Sequence, residues 1–142
     1  MTRIVALLML LSATSIAVLS PLGCSRPAAS SPGIVHGEAT FQNRAMAGGL
    51  VVFVPNLDRG CAGKMYTATI AADGHYQLAD GAKLIVPGWY RVALADPTDW
   101  YGSEWSLAFP TTLRRPDLSG IEREVKPGQD HHFDFKIELA AR

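Results

Sequence analysis

Charge of either sign, cysteine and long apolar runs are all scarce in this chain of 142 residues. Thirteen Lys and Arg offset thirteen Asp and Glu, and charged residues make up only 18%. Without a basic field, nucleic acid is not expected as a partner. No run of like charge forms an electrostatic tail. Two cysteines, Cys24 and Cys61, give no Cys-x-x-Cys pair, and the four histidines give no His-x-x-x-His spacing, so the usual zinc motifs are missing. The Gly-x-Ser-x-Gly elbow of serine hydrolases is missing too. Internal repeats are absent. On these grounds no catalytic residue, metal or cofactor is assigned, and the chain is not expected to be an enzyme.

Hydrophobic residues are plentiful at 48%, enough for a packed core. Thirteen Gly and nine Pro lie between short apolar runs, as an all-β domain with many turns requires. Residues 4–11 are continuously apolar behind Arg3, and 16–19 extend the run weakly. That is too short and too interrupted for a spanning helix and suits an export signal over residues 1–23. Leu22-Gly23-Cys24 resembles a bacterial lipobox, which implies lipidation of Cys24, although Pro21 stands where that signal prefers Leu. An ordinary cleaved signal with a free Cys24 is the alternative. Residues 24–32 are small, polar and Pro-bearing and read as a flexible tether. One domain is expected over 33–140.

The domain is organised around residues 71–96. Asp73-Gly74 is a tight-turn dipeptide between two alternating runs, with Tyr66, Ala68 and Ile70 before it and Tyr76 and Leu78 after it. That pattern predicts an antiparallel hairpin. Pro87-Gly88 launches a strand over 89–95 with Tyr90, Val92 and Leu94 on one face. Residues 50–54 are continuously apolar, as in a strand covered on both sides, and the end of the chain alternates with Phe133, Phe135, Ile137 and Leu139 inward. About seven strands in two antiparallel sheets are predicted, with little or no helix after Cys24. The predicted core comprises Val35, Phe41, Val52, Val54, Tyr66, Ile70, Tyr76, Leu78, Tyr90, Val92, Leu94, Phe133, Phe135 and Ile137.

Four motifs recur in the order of a known family: Gly33-Ile34-Val35, Val51-Val52-Phe53-Val54-Pro55, Asp73-Gly74-His75-Tyr76-Gln77-Leu78 and Pro87-Gly88-Trp89-Tyr90-Arg91-Val92. This resembles the carboxypeptidase-regulatory-like, transthyretin-like β-sandwich. The closing Ser119-Gly120-Ile121, Val125-Lys126-Pro127-Gly128 and Phe133-Asp134-Phe135 are similar to small lipoproteins of planctomycete-type bacteria. The resemblance implies a fold and an address, not a chemistry. The peptidase residues of proteins that carry such a domain lie in another domain and do not transfer. Transthyretin-like hydrolases acting on 5-hydroxyisourate share the fold, but their His-rich strand start and C-terminal Tyr-Arg-Gly-Ser are not found here.

The expected address is the cell envelope, as an outer-membrane or cell-surface lipoprotein. The membrane would be engaged through lipid on Cys24, with an envelope protein or polysaccharide as partner. Residues 96–115 form a long connection, a length more often functional than accidental. Trp100, Tyr101 and Trp105 lie there beside Asp99, Glu104 and the preceding Asp96. Aromatic planes next to carboxylates suit sugar stacking or a protein partner; the bland reading is that one or two of the rings cap the open end of a sandwich. Adjacent His131 and His132 point to opposite faces of a strand, while His36 and His75 lie on other strands, so a metal site would have to be built across strands. Cys61 is either a small buried apolar residue, a thiol for an intermolecular disulfide, or the partner of an unlipidated Cys24.

Overall fold

A computed structural model describes residues 33–78 and 85–139. The leader, Cys24 and the tether lie outside the described residues, as does the part of the central stretch at 79–84. The fold is an all-β sandwich. One sheet contains β1 (Ile34–Phe41), β2 (Arg44–Ala45), β5 (His75–Leu78), β8 (Asp130–His132) and β9 (Phe135–Ile137); the other runs β4 (Tyr66–Thr69), β3 (Leu50–Pro55), β6 (Gly88–Ala95), β7 (Glu122–Val125) and is antiparallel throughout. Among the described residues, no helix is long and apolar enough to cross a membrane.

β1 is the hub of its sheet. Its first half pairs antiparallel with β5 and parallel with β8, and its last residues pair with β2 and β9. Alternation decides its faces: Val35, Gly37, Ala39 and Phe41 are buried, while Ile34, His36, Glu38 and Thr40 are partly exposed. Opposite them Val51 and Phe53 of β3 and Tyr90, Val92 and Leu94 of β6 close the core. Val52 and Val54, expected inside, are only partly buried. Five consecutive apolar residues carry no parity; the register with β6 chooses it, setting Val51 against Leu94 and Phe53 against Val92.

The expected hairpin at Asp73-Gly74 does not form as a pair of neighbouring strands. The turn itself is present, with the Ala71 N–H donating to the His75 carbonyl at 2.7 Å and the Asp73 carboxylate accepting from His75 N–H at 3.1 Å. Beyond it the chain changes layer: β4 pairs with β3 and β5 with β1. Turn chemistry and alternation fix the reversal and the burial of Tyr66, Ile70, Tyr76 and Leu78, but not the partner strand.

The last strand is likewise split. Between β8 and β9 the Phe133 N–H donates to the His36 carbonyl at 2.8 Å, and the Asp134 carboxylate replaces a ladder carbonyl by accepting the Glu38 N–H at 3.0 Å. Phe135 is buried, Phe133 and Ile137 only pack against the core, and Leu139 is exposed. The split also shows why Gly37 faces it. A Cβ at Gly37 would lie 2.0 Å from the Phe133 carbonyl oxygen. The cross-strand partner of Gly37 is Tyr76, whose hydroxyl donates to that oxygen at 2.6 Å while its ring stacks on Phe135.

Candidate functional site

The connection over 96–115 is compact. It contains a 3-10 turn at Thr98–Trp100, the short helix α1 (Glu104–Ala108) and a second 3-10 turn at Thr111–Arg114. Pro97 and Pro110 flank these pieces and keep each to about one turn. The Ser103 hydroxyl accepts from Ser106 N–H as the cap of α1.

A buried carboxylate ties these pieces together. The Asp96 side chain, 2% exposed, receives the Arg114 guanidinium through both oxygens, at 2.7 and 3.0 Å, and the Ser106 hydroxyl at 2.9 Å. Arg114 also donates to the Ser106 carbonyl at 3.2 Å. Burial pushes the Asp96 carboxyl up, but the hydrogen bonds from Arg114 and Ser106 outweigh it and hold the group below the usual carboxylate range. Asp96 is therefore the fastening of the connection, not part of an exposed acidic edge.

The expected binding residues divide between core and surface. Trp100 is 5% exposed and packs on Phe41 with ring centroids 6.0 Å apart; Phe109 meets Phe41 edge-on at 5.3 Å. Trp105 leans on both Phe41 and Trp100, at 6.1 and 6.0 Å, under the Arg44 guanidinium. Tyr101 is 67% exposed, and Asp99 and Glu104 face solvent. Trp100 thus seals one end of the sandwich, and Tyr101, one side of Trp105 and the outward Leu107 are exposed there with Asp99 and Glu104.

At the opposite end sit Cys61 and a polar network that sequence reasoning did not foresee. Asn56, 1% exposed, donates to Glu122 at 2.7 Å, and Arg59 pairs with the same carboxylate at 2.8 Å while lying 4.0 Å over the Trp89 ring. Cys61 is half-buried against the core, in a groove of about 200 Å³ with Arg59 and Trp89. Nearby, the Tyr66 and Tyr90 hydroxyls satisfy the backbone N–H and carbonyl of Val86, at 3.2 and 2.6 Å. Burial, then the neighbouring Cys61 and Tyr66, pushes the Tyr90 hydroxyl well above the ordinary tyrosine range. Burial does the same to Tyr76, with Asp134 adding to it.

Histidines are on view along the outer face of the β1 sheet. His36, His75 and His132 lie there, and an open groove of about 420 Å³ runs past His36, Thr69, His75 and Gln77. His131 points the other way and stacks on Phe133. Among the described residues no three His, Cys, Asp or Glu side chains converge as a metal cage.

No family model matches the chain, and no curated protein matches it. Among solved structures it is similar to a DUF3823 family protein from Parabacteroides merdae, with 13% identity and a TM-score of 0.41 over 75% of this chain and 46% of that one. The chain thus spans less than half the length of that structure.

Proposed function

We propose that the protein is a lipid-anchored relative of the carboxypeptidase-regulatory-like β-sandwiches, a non-catalytic module that binds or braces a component of the cell envelope. The observation that carries this reading is the polarity of β1. The strand leaves Gly33, beside Val125 and Gln129, and ends at Phe41 under the aromatic cap. A chain held by Cys24 therefore carries the connection over 96–115 at the end far from its anchor, where Tyr101, Trp105 and Leu107 meet the surroundings. The buried Asp96 carboxylate supports the same reading, because it is consumed in fastening the connection.

Intact mass spectrometry of membrane-extracted protein tests the address. A chain beginning at Cys24 with diacylglyceryl and acyl groups is expected; an unlipidated mature chain overturns the anchor. A polysaccharide ligand is a second reading of the same end, favoured by the exposed Tyr101 and Trp105 beside the exposed Asp99 and Glu104. Tyr101→Ala and Trp105→Ala would then abolish glycan-array binding, whereas retention of binding by both variants would end that reading.

A further inference from the structure

His36 of β1 and His132 of β8 are direct partners in a parallel register, with ring centroids 4.9 Å apart on the outer face of the sheet. Each ring is oriented by its own carboxylate. His36 Nε2 lies 2.8 Å from Asp130 Oδ1, and His132 Nε2 lies 2.8 Å from Asp134 Oδ1. Asp134 is itself held in place, since the same oxygen accepts the Glu38 N–H at 3.0 Å. A carboxylate on Nε2 keeps the proton of the neutral imidazole there and leaves the lone pair on Nδ1. Both rings are reachable, with side chains 38% and 57% exposed. Imidazoles that bind metal through one nitrogen usually carry a carboxylate on the other, for the same reason.

We propose that His36 and His132 form an open, two-nitrogen site for a borderline divalent transition-metal ion, with Cu(II) bound more tightly than Zn(II) or Ni(II). Two imidazoles supply the protein nitrogens and water completes the coordination, so the site is not a closed cage. The order among metals follows the general preference of nitrogen ligands for copper. Acidic neighbours on the same side, Glu38 on β1, Asp130 on β8 and Asp134 in the link between β8 and β9, favour a cation over an anion there. His75 on β5 lies one register step away, opposite Glu38, and is not part of the pair.

Cu(II) titration of tag-free protein at neutral pH, followed by calorimetry and electron paramagnetic resonance, tests the site. One equivalent bound through two nitrogens is expected. His36→Ala and His132→Ala should each remove that spectrum, while His75→Ala keeps it. Asp130→Asn should weaken binding by about tenfold through loss of ring orientation. His36→Gln provides a second variant should the alanine lower the melting temperature. A Kd weaker than about 1 mM, or an unchanged spectrum in both His36 and His132 variants, overturns the proposal.

Discussion

Gly37 has almost no room for an added methyl group. The Phe133 carbonyl carbon and oxygen lie 2.6 and 2.0 Å from its missing Cβ, and both are backbone atoms that cannot swing away. Gly37→Ala should cost about 3 kcal/mol by overpacking, a fall of more than about 10 °C in Tm. Asp96 makes a different contribution. Its carboxyl is held below its unfolded value, so the stabilisation is fully present above the unfolded pKa near 4 and is lost as pH falls below it. Asp96→Asn should cost about 2–3 kcal/mol at neutral pH, less than a fully buried pair because Arg114 is one-third exposed. The same variant should show a shallower loss of Tm between pH 5 and pH 3. At the alkaline end the sign reverses. Tyr76 and Tyr90 have raised values in the fold, so their contribution is present below the unfolded tyrosine value of about 10 and is lost as pH rises through it. Absorbance titration at 295 nm should show Tyr76 and Tyr90 ionising only on unfolding, well above the ordinary tyrosine range.

At the scale of the element, the connection over 96–115 behaves as a lid sealed by one tryptophan and shaped by another. Trp100 is buried, so Trp100→Ala should cost about 3–5 kcal/mol. Trp105 is 36% exposed, and its loss should cost only about 1–2 kcal/mol, the worth of its edge contact with Phe41 and of the Arg44 stacking. Thermal melts of the two variants check the division; equal costs would mean that both rings serve the core alike. This element also marks where reading the sequence stopped. The position and length of the connection are plain from Asp96-Pro97 and Pro110, and so is its aromatic content, but not which ring turns inward, because irregular backbone has no period. Strand alternation placed Val35, Tyr90, Val92 and Leu94 correctly. It failed at residues 50–54, where every position is apolar, and at 133–134, where an Asp carboxylate stands in for a backbone acceptor. The Asp73-Gly74 turn was legible, yet its change of sheet was not, since that depends on β1 and β3 tens of residues away.

For the whole molecule, the consequence of a lipid anchor follows from where the chain enters and how far β1 carries it. Eight residues of strand span about 26 Å. Gly33, Val125, Gly88 and Cys61 cluster at the entry end, while Phe41, Trp100 and Phe109 cluster at the other. Two exposed leucines label these ends. Leu57 follows β3 at the entry end and is 73% exposed; Leu107 on α1 is 84% exposed at the far end. The nine residues from 24 to 32 reach at most about 30 Å when extended, so under the proposed anchor the entry end stays within that distance of the bilayer, while the other end can lie one strand length further out. A photo-crosslinking residue at Leu107 in membrane-bound protein should form adducts with an envelope protein or polysaccharide and none with phospholipid. The same residue at Leu57 should give the lipid adducts. Neither position fills the core, so a change in the adduct pattern reports placement, not folding. Lipid adducts at Leu107 would mean that the aromatic end lies against the membrane, and Tyr101, Trp105 and Leu107 would then be membrane contacts instead of the surface offered to a partner.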